Sequence, residues 1–194
     1  MGQMYFPDEF TSHSHEKKGK NHVTYLGNSV EPSNEVVDFS YVRNSVKSWD
    51  SMRICAMSDN GMCAAIYKSN GYSLQCNACY DEIENVRGKQ ETIIDLNVTK
   101  SGSSIVIYGR NNYYSHCCPS NFMDFLSKFN KNSEEILSAT YNDQGEFCIV
   151  TNDHIYYTSS ITSFISKAKS SFDSFRYVFI SELGRIAICE KGIY

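Results

Sequence analysis

Proline occurs three times in 194 residues and tryptophan once, which excludes a collagen-like or proline-rich chain. No apolar run approaches the ~18–20 residues that a membrane-spanning helix needs. The first residues carry no apolar core of a secretion signal, so a cytoplasmic location is the expectation. Basic charge is also lacking. Eighteen Lys and Arg against 22 Asp and Glu leave a net charge of −4, with no electrostatic footprint for nucleic acid. The G-x-S-x-G elbow, the P-loop and the G-x-G-x-x-G turn are all absent, and no cofactor is implied.

Cysteine is present but sparse. Eight residues fall well short of the >8–10% typical of disulfide-built miniproteins. Cys55, Cys63, Cys148 and Cys189 sit among Ile, Ala and Val, where a thiol behaves as a small hydrophobe, so they are expected to be reduced core residues. A chain of this length buries roughly 70% of its unfolded surface and needs no covalent staple to fold.

The main feature of the sequence is self-similarity. Gly19, Gly61, Gly102, Gly145 and Gly184 are 42, 41, 43 and 39 residues apart. Nine residues before them stand Phe10, Met52, Ile93, Ile136 and Phe175; four after stand Val23, Ala65, Val106, Ile149 and Ile188. Eleven after come Tyr72, Tyr113 and Tyr156. Apolar columns locked to one glycine predict a tandem repeat of approximate bounds 8–50, 51–91, 92–134, 135–174 and 175–194, the last completed by 3–7.

Each unit reads as strand, strand, strand, helix. A β-like run such as 136–141 leads to a turn at Asn142–Gly145, where glycine supplies a positive φ. The second runs, 104–108, 147–150 and 186–189, are continuously apolar, which predicts burial on both faces. A second turn leads to a wetter third strand such as 113–116. The unit closes on an amphipathic helix: Phe122, Phe125, Leu126 and Phe129 after Pro119 in one, and Ile161, Phe164, Ile165, Ala168 and Phe172 in the next. Cys79, Ile83 and Val86 give the stripe of an earlier helix, and Phe39, Val42, Val46 and Trp49 that of the first.

The run Gly102-Ser-Ser-Ile-Val-Ile-Tyr-Gly-Arg-Asn-Asn-Tyr-Tyr, followed by Pro119 and then Phe and Leu, resembles a class of bacterial tandem repeats. Those repeats of about 41 residues carry Tyr-Gly-x-Asn-Gly-Tyr, then Pro and a Leu-rich helix. The likeness spans residues 50–194 and implies a β-propeller-like or stacked architecture without particular chemistry. A β-rich α+β repeat fold is therefore expected. A five-bladed propeller-like ring closed by the N-terminal strand requires Met4–Phe6 to pair with Gly192–Tyr194. The alternative is an open curved antiparallel sheet with helices on one face and the polar first unit as its cap.

Three groups are candidates for chemistry. His13, His15 and His22 share a face if Glu16–Gly19 is a four-residue turn, which sets His22 across from His13 and would suit zinc; a solvated hairpin is the simpler account, and no metal is assigned. Cys76 and Cys117 each lie fifteen residues after their glycine, so adjacent units would bring them together as a zinc site or disulfide. Tyr72, Tyr113 and Tyr156 open successive third strands and would form a row of rigid amphipathic contact area. No nucleophile has a base and an orienting third residue, so no catalytic residue is assigned. The expected function is a non-catalytic module binding a protein or glycan through Tyr72, Tyr113 and Tyr156, with neither nucleic acid nor membrane as partner; the alternative is a metal-dependent or Cys-based enzyme at the first-hairpin histidines or the Cys76/Cys117 junction.

Overall fold

The computed structural model describes residues 3–5, 13–17, 20–24, 52–58, 62–67, 70–74, 79–129, 134–171, 175–180, 185–189 and 192–193. In chain order these form β1 (Gln3–Tyr5), β2 (His13–Lys17), β3 (Lys20–Thr24), β4 (Met52–Met57), β5 (Cys63–Tyr67), β6 (Tyr72–Leu74) and α1 (Tyr80–Gly88). They continue with β7 (Ile93–Val98), β8 (Ser104–Tyr108), β9 (Asn112–His116), α2 (Ser120–Phe129), β10 (Ile136–Tyr141), β11 (Phe147–Thr151) and β12 (Ile155–Tyr157). A 3-10 turn at Ser159–Ile161 then enters α3 (Thr162–Ser171), and β13 (Phe175–Ile180), β14 (Arg185–Cys189) and β15 (Gly192–Ile193) follow. The expected β-rich α+β class is observed. Every strand pair is antiparallel, in sheets ordered β1-β4-β5-β6, β2-β3, β7-β8-β9, β10-β11-β12 and β13-β14-β15, and none of these closes into a barrel among the described residues.

The four large sheets are built alike. Each first strand carries a bulge at its second residue, between Met52 and Ile54, Ile93 and Asp95, Ile136 and Ser138, and Phe175 and Tyr177. Ala65, Val106 and Ile149 then face Cys55, Leu96 and Ala139 in one register, and all three are fully buried. The hairpin loops match as well: Ser58, Thr99 and Asn142 donate N–H to the carbonyls of Met62, Ser103 and Glu146 at 2.8, 2.9 and 3.0 Å. Gly102 and Gly145 occupy the fourth loop position with φ of +85° and +79°, the conformation that glycine adopts without the Cβ penalty. Both fully described second strands, β8 and β11, are buried at every residue.

Three expectations of register need correction. The last hairpin loop is one residue shorter, so Ala187 rather than Ile188 faces Val178. In the first hairpin Lys17 pairs with Lys20, which sets His15 opposite His22 and His13 opposite Thr24. The N-terminal strand does not pair with β15: Gln3, Met4 and Tyr5 pair with Ala56, Cys55 and Ile54, on the free edge of β4. There it covers an edge that β4 would otherwise expose. The stripe Phe39–Trp49 lies outside the described residues.

Each helix packs in the wedge between two sheets. Ile83 and Val86 of α1 join Ile54 and Ile66 of one sheet to Leu96 and Val106 of the next. Phe122, Leu126 and Phe129 of α2 join Ile105 and Ile107 to Ala139, Tyr141 and Ile149. Ile165 and Ala168 of α3, with Ile161, join Cys148 and Val150 to Val178, Ile180 and Ala187. The helix pattern of the sequence is thus used as expected, at i, i+3, i+4 and i+7.

Side chains tie the sheets where no strand ladder runs. The Asn70 carboxamide accepts Ile93 N–H at 3.2 Å and donates to Glu91 O; Asn111 accepts Ile136 N–H at 2.9 Å and donates to Glu134 O. The two asparagines stand at the same place in successive sheets and clasp the start of the following one. Deeper in, Asn97 donates to Tyr141 O at 2.9 Å and Thr140 to Val178 O at 2.8 Å. Asp95, fully buried, accepts Ala139 N–H at 2.8 Å and Leu96 N–H at 2.9 Å, with the Tyr177 hydroxyl 3.5 Å away. First strands therefore follow one another side by side, β4, β7, β10, β13, and β1 approaches β13 as well as β4.

Candidate functional site

The third strands β6, β9 and β12 form the wet margin of their sheets. Tyr72, Tyr113, Tyr114, Tyr156 and Tyr157 lie on them, all half-buried. Tyr72 and Tyr113 share one register, opposite Ile66 and Ile107. Tyr156 is one step out. The turn between β11 and β12 is a residue shorter, so Tyr156 faces Ile149 and corresponds to Tyr114, which faces Val106. The three tyrosines of the sequence column thus reach the margin, but not at one equivalent position.

Each ring is braced from behind. Tyr72 meets Tyr80 of α1 edge-on at 6.1 Å and lies beneath the Arg87 guanidinium at 5.2 Å. Hydrogen bonding to the Glu84 carboxylate, with some desolvation, pushes its hydroxyl up to about 12. Tyr108 and Tyr114 stack at 5.3 Å with Lys89 Nζ 5.2 and 5.0 Å from their ring centres. The hydrogen bond to Tyr108 raises that ammonium's pKa. Tyr113 packs against the α2 core, and Tyr156 touches Phe125 and Phe129 at 5.1 and 5.4 Å. Both cations come from the last turn of α1 and just beyond it, where positive charge also complements the helix dipole.

Around Tyr156 the turn carries polar groups that the sequence did not single out. Glu134, its side chain 12% exposed, accepts hydrogen bonds from the Thr151 hydroxyl at 2.6 Å, the Tyr156 hydroxyl at 2.8 Å and His154 Nδ1 at 3.0 Å. Those bonds, Thr151 first, hold its carboxyl below the usual range. Thr151 Oγ1 also accepts the N–H groups of His154 and Asp153 at 2.8 and 3.2 Å, fixing the turn. The His154 side chain is 64% exposed.

The other candidates are less assembled. Cys76 lies outside the described residues, so nothing is established of a Cys76/Cys117 junction. Cys117 is exposed with φ +51°, while Cys118 donates to Ser104 O at 3.1 Å and Cys55, Cys79 and Cys148 are buried. Burial pushes the Cys118 and Cys148 thiols up, which suppresses the reactive thiolate. Among these five, Cys117 is expected to react first with a water-soluble disulfide reagent under native conditions, read by peptide mass spectrometry; prior labelling of Cys79 or Cys148 would contradict the placement. Among the described residues no three His, Cys, Asp or Glu converge as a metal site. No described helix is long and apolar enough to cross a membrane.

Two signals for these features were in the sequence. Asn70 and Asn111 both stand nine residues after their glycine, and Asp95 is the one charged residue in the run Ile-Ile-Asp-Leu-Asn-Val. The cluster at Glu134 had none, because its members are joined only by the shorter turn. No family model, curated protein or solved structure matches the chain.

Proposed function

We propose that this chain is a non-catalytic binding module. Its units of ~41 residues are a tandem repeat akin to the bacterial repeats the sequence resembles. They are arranged as a propeller-like ring, in the cytoplasm, in which β1 joins the two ends of the series by pairing with β4 and lying near β13, not by completing the last sheet. The side-by-side order of β4, β7, β10 and β13, with β1 reaching both ends of that series, supports the ring. The ring presents the third-strand tyrosines Tyr72, Tyr113 and Tyr156 to a protein or glycan partner.

One observation carries this function: every third strand from β6 to β12 places tyrosine at its half-exposed margin, backed by a helix side chain or a half-buried carboxylate. Braced tyrosine gives large contact area at low entropic cost, the property that binding surfaces use.

The test is a screen of the intact chain against immobilised glycans and displayed proteins, followed by the variant Tyr72→Ser/Tyr113→Ser/Tyr156→Ser. A ligand whose Kd weakens at least about tenfold in the variant, roughly 1.4 kcal/mol, is the expected result. A partner bound equally well by the folded variant overturns the proposal. If the variant does not fold, protection of the three tyrosines from nitration in the complex takes its place, and unprotected rings count against it.

A further inference from the structure

The turn Thr151–His154 differs from its counterparts. In the two preceding sheets the turn carries the asparagine clasp onto the following sheet, and here it bonds instead to Glu134, just ahead of β10 of its own sheet, and lifts an imidazole into solvent. Surface histidines are ordinarily free to rotate, and ordering one costs side-chain entropy. This one is held: Nδ1 lies 3.0 Å from the Glu134 carboxylate, which has only acceptors, so in the neutral ring the proton sits on Nδ1 and Nε2 carries the lone pair. Its ring stands 5.9 Å from that of Tyr156 at 45°, and Tyr156 is fixed by the same carboxylate and backed by Phe125 and Phe129.

We propose that this turn is a glycan subsite, in which His154 Nε2 accepts a hydroxyl of a neutral sugar and the exposed part of the Tyr156 ring packs against its C–H face. The proposal rests on the binding-module function and names its ligand class and one contact. An acceptor lone pair beside an aromatic ring, both prepositioned, matches a ligand that offers hydroxyl donors and an apolar face. Charge selects against anions. Glu134, Glu135 and Asp153 surround the turn, and the nearby cation Arg110 lies 3.3 Å from the Glu135 carboxylate.

Side-chain NMR of the intact chain tests this, with titration of glucose, galactose, mannose, N-acetylglucosamine and their β-linked dimers to tens of millimolar. Expected are saturable shifts of the His154 and Tyr156 ring signals, with a Kd weakened at least about fivefold by His154→Ala and by Glu134→Gln. His154 is exposed enough that its removal leaves the fold intact, as circular dichroism checks. Unmoved His154 and Tyr156 signals with every neutral sugar overturn the subsite, as does unchanged affinity in His154→Ala. An amino sugar or sugar phosphate bound more than tenfold tighter than its neutral parent overturns the ligand class. A sugar or protein that needs Tyr72 and Tyr113 but leaves His154 unmoved removes the subsite and keeps the binding module. A sugar indifferent to Tyr72→Ser/Tyr113→Ser but lost in both His154→Ala and Tyr156→Ser keeps the subsite and removes the row of three tyrosines.

Discussion

Phe122→Ala is expected to lower the free energy of unfolding by about 3–5 kcal/mol, the cost of emptying a fully packed aromatic site. The ring is wholly buried in the wedge that α2 makes between the sheets β7-β8-β9 and β10-β11-β12. It lies 4.6 Å from the Tyr141 ring and 5.7 Å from that of Phe147. Collapse around the cavity is hindered because Tyr141 is held at its far end: its hydroxyl lies 2.7 Å from Ser103 Oγ and 3.1 Å from Cys118 Sγ. Phe125 is only half-buried, so Phe125→Ala should cost clearly less. Urea unfolding of both variants, followed by far-ultraviolet circular dichroism, gives the comparison. A Phe122→Ala loss below about 1.5 kcal/mol would mean that this wedge is not packed as described.

That wedge was legible beforehand because its signal is local. Phe122, Phe125, Leu126 and Phe129 give the helix period, and the unbroken apolar run at 104–108 announces a strand covered on both faces. The glycine columns carried the same information to the hairpin loops, where positive φ at Gly102 and Gly145 is a steric requirement. Register is a different matter. One residue fewer in a loop moves every later side chain to the opposite face, and neither the short turn before β12 nor that before β14 changes the composition enough to be noticed. Tyr156 and Ile188 were therefore placed in columns to which they do not belong. The pairing of β1 with β4 is non-local, and a three-residue strand carries no pattern that names its partner. The Glu134 cluster failed for both reasons, since it joins residues twenty positions apart through a turn of altered length.

Asp95 should make the protein lose stability as pH rises, in a way that Asp95→Asn removes. The carboxyl is fully buried at the meeting of β7, β10 and β13, and desolvation pushes its pKa well above the ordinary aspartate value, against the opposing effect of two backbone N–H groups. The titratable neighbours are Tyr177 and, close to that ring, Cys55; burial drives the tyrosine upward too, so neither supplies a compensating cation. The hydroxyls of Tyr177 and Ser138 lie on the same buried side and, like the two N–H groups, act against burial by favouring the carboxylate. A folded-state pKa above the unfolded one means that the native chain holds the proton more tightly. The stabilising contribution is complete below the unfolded value of 3.8 and is lost as pH rises through the folded value. In that window one group changes stability by at most ~1.4 kcal/mol per pH unit. Asparagine turns its amide nitrogen toward one of the two N–H donors, a cost that does not vary with pH, so the slope and not the offset is the readout. Urea midpoints at pH 5, 6, 7 and 8 should fall more steeply for the natural chain than for Asp95→Asn, the two curves converging or crossing toward high pH. Parallel curves would show that Asp95 ionises in the fold as readily as in the unfolded chain, and the buried junction of the three strands would then have to contain a countercharge or water.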